Sequence, residues 1–277
     1  MRHPIRTLLL LTTIILLLTA SFPSARAWTG DTHIWLSAKS VTYLPRDWQN
    51  LAFNLYSADL NNGTTAPDRV FRDFYNHVYH PRTGYGGAPK AITKWYGYFK
   101  GNLTLGNWKT SVYCAGVLAH YAEDIANPLH TDTSDAEEEI HSKYETDAYN
   151  HLSIINIAIT DLDQVTNVTA YAISIATTVN PSYWNLVNNY TTYGWNQHVA
   201  QITQASMNLA VKTVASIWIT AIKETGAQIP EFSSAPLILI TCLTITALLF
   251  KRKSSPMHAL KSLKNEDLNS HQLPVRS

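Results

Sequence analysis

Along residues 28–228 apolar positions recur mostly at the 3.6-residue period of a helix, and no convincing run shows the two-residue alternation of a strand. Residues 33–44 and 47–55 carry the helical spacing, and Pro45, which cannot continue a helix interior, divides them. Residues 89–103 and 108–125 read as two more helices, the second stopped near Pro128. Residues 140–161 read as another; Glu137, Glu138 and Glu139 before it form a solvated start whose charge suits the positive end of a helix dipole. Residues 168–178 follow, and 195–225 form a long amphipathic helix built on Ile202, Leu209, Val214 and Ile217 and ended by Gly226. Residues 61–87 are rich in Asn, Gly, Pro and Thr, have few periodic apolar positions, and read as a long ordered loop of a length associated with function. There is no heptad stretch and no internal repeat. The pattern predicts a single all-α, multi-helix domain.

At the two ends the pattern changes character. Arg2 and Arg6 precede an apolar run at 8–18, and Ala25, Arg26 and Ala27 form a small-x-small cleavage site, so residues 1–27 read as a signal peptide. Cleavage there makes Trp28 the first residue. Residues 229–234 read as a linker and 235–250 as an uncharged, apolar transmembrane anchor at the short end of what spans a bilayer. Lys251, Arg252 and Lys253 follow at once and hold the polar tail, 251–277, on the cytoplasmic side. The domain is then expected on the extracytoplasmic face of the cell membrane, tethered through its C-terminal helix. Asn62, Asn102, Asn167 and Asn189 stand in Asn-x-Ser/Thr sequons, which is compatible with that placement.

Composition narrows the function classes. The chain has 277 residues, 45% hydrophobic and 15% charged, with a net charge of +1, enough apolar material for one ample core. Near-zero charge gives no basic footprint, so stable nucleic-acid binding is not expected, although a nuclease active site stays compatible. Cys114 and Cys242 are too few for a disulfide framework and read as unpaired. A monomer is expected.

The chemistry concentrates between His120 and Glu145. His120 and Asp124 are four residues apart, as are His141 and Glu145, so on helices each pair shares one face, and His130 lies between the pairs. Imidazole nitrogen and carboxylate oxygen are ligands that zinc accepts. Asp68 and His77 lie upstream, in the long loop and the segment after it. His33 stands five residues after Trp28, whose freed α-amine would have a pKa near 8 and could be deprotonated by a metal at neutral pH. His80, His151 and His198 have no partner at ligand spacing and read as structural. Glu123, beside Asp124, faces another side of its helix and reads as exposed. Trp95, Tyr96, Tyr98 and Phe99 read as core and cleft wall.

Taken in order, mature Trp28, His33, Asp68, His77, His120-x3-Asp124-x5-His130 and His141-x3-Glu145 resemble the motif set of the zinc-dependent phospholipase C family, which shares its all-α fold with the S1/P1-type nucleases. The resemblance is good over residues 28–155 and general beyond. It implies three zinc ions. One takes Asp68, His77, His120 and Asp124; a second takes His130, His141 and Glu145; the third takes the amine and carbonyl of Trp28, His33 and a shared Asp124. Asp59 resembles the matching segment of some family members too, and Asp68, nearer His77 and preceded by Pro67, is preferred. The reaction implied is attack of zinc-bound hydroxide on a phosphodiester, with Asp68 as the catalytic group that orients or deprotonates the water. Glu145, where the nucleases typically have Asp, and the segment around His77 favour phospholipid over nucleic acid as substrate, while the short Trp28–His33 spacing is closer to the nuclease branch. A nuclease or 3′-nucleotidase, and a zinc-stabilised surface domain without turnover, are the alternatives.

Overall fold

The computed structural model describes residues 28–229; the expected signal peptide, the 235–250 anchor and the tail lie outside the described residues. Among the described residues nine α-helices run in chain order: α1 Gly30–Val41, α2 Arg46–Asn50, α3 Ser57–Ala66, α4 Ala88–Thr104, α5 Trp108–Asp124, α6 Asp135–Asn150, α7 Val168–Val179, α8 Tyr183–Tyr193 and α9 Gln197–Thr225. Among the described residues the only β pairing is an isolated antiparallel bridge between His80 and Tyr85.

The helix ends follow local chemistry. Thr29 accepts from the Thr32 N–H at the start of α1, Ser134 accepts from the Glu137 N–H at the start of α6, and the Asn196 side chain accepts from His198 and Val199 at the start of α9. Gly226, in the left-handed region at φ 59°, stops α9. That helix is long and apolar enough to cross a membrane, but 72% of its most apolar window is buried inside the fold, which is the signature of a core helix. Its inward stripe runs through Val199, Met207, Val211, Val214, Ile217 and Trp218.

The central helix is α5, in which every residue from Val117 to Asp124 is fully buried. A helix enclosed on all sides leaves no solvent face, so its polar residues must answer to one another. Its closest neighbour is α3. A Cβ at Gly116 would lie 2.4 Å from the Leu60 carbonyl oxygen, and one at Gly63 would lie 2.1 Å from the Tyr113 carbonyl oxygen. The two glycines therefore let the backbones touch.

Two expectations need correction, and one helix was missed. Residues 61–87 are not one loop: α3 occupies the start, a π turn covers Pro67–Phe71, and a 3-10 turn covers Phe74–His77. Close packing on α5 overrides the low helix propensity of Asn, Gly and Thr, and Thr64 and Thr65 return their hydroxyls to the Leu60 and Asn61 carbonyls within the helix. The helix expected over 140–161 begins earlier, at Asp135, and ends at Asn150. The chain beyond runs irregularly along α9, where the side chains of Gln204, Asn208 and Ser216 accept from the backbone N–H groups of Asn156, Ala158 and Asp163. Finally α8 was not visible in the periodicity.

Candidate metal centre

Six segments converge beneath the C-terminal turn of α5. His33 comes from α1, Asp68 from the π turn, His77 from the 3-10 turn that follows, His120 and Asp124 from α5, His130 from the 3-10 turn Pro128–His130, and His141 and Glu145 from α6. Their ligand atoms gather into three groups that could each hold a metal ion: His33 with Asp68 and His120; His77 with His120 and Asp124; and His130 with His141 and Glu145. Within each group the atoms lie within 4.8 Å of one another.

His120 is common to the first two groups, and the carboxylate of Asp124 reaches histidines of both. Fully buried, it turns Oδ1 to His33 Nε2 at 3.3 Å and Oδ2 to His77 Nδ1 at 3.0 Å and His120 Nε2 at 3.4 Å. Asp68 Oδ1 sits 3.8 Å from both His77 Nδ1 and His120 Nε2. Glu145 Oε1 lies 2.9 Å from His141 Nε2 and 3.6 Å from His130 Nε2. Trp28 is fully buried beside these groups, its indole donating to the Glu123 carbonyl and its ring 5.7 Å from that of Tyr144. Asp59 belongs to none of the groups and faces Lys109 instead.

Four of the five histidines, all but His77, carry a second, outward hydrogen bond that fixes the ring. His33 Nδ1 meets Glu123 Oε2 at 2.6 Å, His120 Nδ1 meets the Thr64 carbonyl at 2.7 Å, and His130 Nδ1 meets the His77 carbonyl at 2.9 Å. His141 Nδ1 meets Glu137, and His77 Nε2 faces Asp73 at 3.6 Å. An outward acceptor holds the ring proton away from the centre and leaves the inward nitrogen a lone pair, as metal-bound histidine requires. The inward atoms bear this out: His33 Nε2, His130 Nε2, Asp68 Oδ1 and both Asp124 oxygens are buried with no hydrogen-bond partner. Orphan acceptors converging in this way fit a nitrogen- and oxygen-ligated dication such as zinc.

Two expectations are overturned here. Glu123 is fully buried, not exposed; besides holding His33 it accepts from Ser37 Oγ at 2.8 Å. Glu137 is buried too, and only Glu138 and Glu139 form the solvated start of α6. Both errors have one origin, since adjacency on a helix tells which way a residue points but not what covers that side. Asp73, which also accepts from the Tyr121 hydroxyl, was missed for the same reason.

The charges respond to this crowding. Burial alone would disfavour charged rings, yet Asp124 with Glu123 lifts His33 to about 10, and Asp124 with Asp73 lifts His77 to about 9. Burial would also raise Asp124, but His120, His130 and His33 hold it well below the ordinary carboxylate range. Asp68 moves the other way: burial, reinforced by Asp124 and Glu145, raises it.

Two clefts open on the centre and meet at Phe74 and Ser142. One, of about 760 Å³, is lined by Trp28, Asp68, Arg69, Arg72 and Glu145. The other, of about 700 Å³, is lined by Tyr75, Val78, Tyr85, Leu129 and His141.

No curated protein matches the chain. Among solved structures it is similar to the alpha toxin of Clostridium absonum, with a TM-score of 0.60 and 16% identity over 78% of this chain and 66% of the toxin. It is similar also to the alpha-toxin of an avian strain of Clostridium perfringens, with a TM-score of 0.58 and 17% identity over 75% of this chain and 66% of that one. At such identity the likeness is one of fold, and it spans just under two thirds of either toxin's length. The sequence model of the family described as zinc dependent phospholipase C matches residues 32–187, more than half of the chain. The protein therefore belongs to the zinc-dependent phospholipase C family.

Proposed function

We propose that the protein hydrolyses the phosphodiester of phospholipids at a three-zinc centre, on the outer face of the membrane that its expected signal peptide and C-terminal anchor would give it. The observation that carries this reading is Asp124, a fully buried carboxylate whose two oxygens face different histidines, His33 on one side and His77 with His120 on the other. That is the disposition of a carboxylate shared by two cations.

In this reading His77, His120, Asp124 and Asp68 hold one zinc, His130, His141 and Glu145 a second, and His33, Asp124 and the freed terminus of Trp28 a third. Zinc supplies acidification of water toward neutral pH and neutralisation of charge on the phosphoryl oxygens. Asp68, whose Oδ1 no protein donor occupies, orients the attacking water and accepts its proton. The water oxygen bonds to phosphorus, the bond from phosphorus to the glycerol oxygen breaks, and that oxygen takes a proton. The products are a diacylglycerol and a phosphorylated headgroup. The buried Trp28 and the ring of Phe74 narrow access for bulk water.

The test is metal content and turnover of the mature protein beginning at Trp28. About three zinc ions per chain and cleavage of phospholipid are expected. Fewer than one zinc per chain would defeat the reading, and cleavage of single-stranded DNA without cleavage of lipid would move the protein to the nuclease side. A protein with additional residues before Trp28 should lose one zinc; an unchanged count would remove Trp28 from the ligand set.

A further inference from the structure

The cleft over Asp68 and Glu145 carries two uncommitted cations. Arg69 and Arg72 both line it and both are exposed. Among the described residues neither guanidinium has a carboxylate within 4 Å or donates a hydrogen bond. The nearby acids are taken: Asp68 faces His77 and His120, and Asp73 faces His77 and the Tyr121 hydroxyl. Arg72 is also the one non-glycine residue of positive φ among those described, at φ 52°, where it closes the π turn Pro67–Phe71. A side chain of this size is rarely held in that conformation, which glycine or asparagine adopts at less cost. Strain of this kind persists at binding sites.

The cleft on the other side is the opposite in character. Tyr75 and Tyr85 meet edge to face at 5.4 Å, with Val78 and Leu129 beside them; among the described residues no arginine lines this cleft, and Asp132 on its wall is paired with Arg82. Glu137 and Glu138 add negative charge there. A phosphodiester lying over the metal groups, at the Phe74–Ser142 junction, would therefore present one substituent to arginines and the other to aromatic and aliphatic walls.

We infer that Arg69 and Arg72 are specificity-determining residues that select phospholipids whose headgroup bears a second anionic group, such as a phosphorylated inositol, over those with a quaternary ammonium. This rests on the phospholipase reading above. The glycerol side of the substrate then takes the aromatic cleft. Two guanidinium forks suit a phosphate, which accepts paired N–H donors, and they repel a choline cation.

The experiment uses short-chain, monomeric lipids, so that attraction to a charged surface plays no part. The zinc-loaded protein should cleave a dihexanoyl phosphatidylinositol phosphate with a kcat/KM about tenfold or more above that for dihexanoyl phosphatidylcholine, the difference residing in KM. In an R69Q/R72N double variant that ratio should fall to about one; because it is taken within one preparation, partial misfolding does not affect it. Binding of soluble inositol 1,4-bisphosphate against phosphocholine, followed by calorimetry, tests the same arginines without turnover. If no lipid is cleaved but the bisphosphate still binds in an arginine-dependent way, the phospholipase reading fails and with it the selection among lipids, while Arg69 and Arg72 keep their role as a phosphate site. Equal binding and equal kcat/KM for the two headgroups in the unaltered protein would overturn it. So would a preference seen on vesicles but absent with monomeric lipid, which would reassign the arginines to surface attraction.

Discussion

At the scale of single residues the centre is decided by where protons sit. Glu123 illustrates this, since it touches no inward ligand atom yet takes the outward nitrogen of His33 and is itself held by Ser37. Replacing it by Gln should leave the fold intact and lower zinc affinity at the His33–Asp124 position by about 10- to 100-fold, the ordinary effect of removing such a support. Dialysis against graded chelator followed by metal analysis would show one zinc leaving before the others; equal retention of all three would refute that role. A second consequence concerns pH. Without metal, His33 and His141, both raised to about 10, and His77, raised to about 9, carry protons at pH 7 because their values lie above it. A metal ligand must give that proton up, so zinc uptake at pH 7 should release protons and tighten as pH rises toward 9. Calorimetry in two buffers of different ionisation enthalpy measures the number released, and none would contradict the assignment. The residues that converge here were legible in the sequence by type and order, because ligand chemistry restricts both. Glu123, Glu137 and Asp73 were not, because their roles depend on which other helix covers them. Arg69 and Arg72 were not singled out either, since an unpaired surface arginine has no sequence signature.

At the scale of elements the centre depends on how closely α3 and α5 approach. Gly63 and Gly116 set that distance, and it brings the Thr64 carbonyl within 2.7 Å of His120 Nδ1. Gly116→Ala would drive a methyl into the Leu60 carbonyl and the Thr64 amide of α3, contacts made by backbone that cannot swing aside. A cost of about 2–3 kcal/mol is expected from overpacking of this kind, together with weakened zinc binding at His120. Gly97→Ala in α4 is the contrast: nothing lies within 4 Å of its Cβ, and helix propensity alone should stabilise the protein by about 0.5–1 kcal/mol. Thermal unfolding of the two variants separates the cases, and equal effects would mean that the α3–α5 crossing is looser than described. The same crossing explains what periodicity could show. Helices α4, α5, α7 and α9 were visible because their apolar stripes repeat, whereas α3 is built of Asn, Gly and Thr and exists through contact with α5. The segment after α6 was misread because its isoleucines repeat as a helix would, while its amides are committed to side chains of α9.

At the scale of the whole molecule, the clustered ligands are contributed by six segments between α1 and α6, while α7 to α9 contribute none. Buried around them are His33, His120, Asp124 and Glu145, polar groups that an apolar interior tolerates only when paired or bound to metal. Metal binding and folding of that half are therefore one equilibrium, because the unfolded chain offers no preformed site. A zinc present at a thousandfold its dissociation constant contributes about 4 kcal/mol. For a domain of this size each 1 kcal/mol moves Tm by about 2–4 °C. Stripping three ions should thus lower Tm by more than about 20 °C, or abolish the cooperative transition altogether, and restoring zinc should reverse the change. Magnesium should not restore it, since the sites are rich in imidazole and Mg²⁺ favours oxygen ligands. The measurement is differential scanning calorimetry of the mature protein before chelation, after it, and after each metal is added back. A shift below about 5 °C would show that the six segments are held by the α3–α5 and α9 packing alone, and that the histidines and carboxylates are satisfied without a cation.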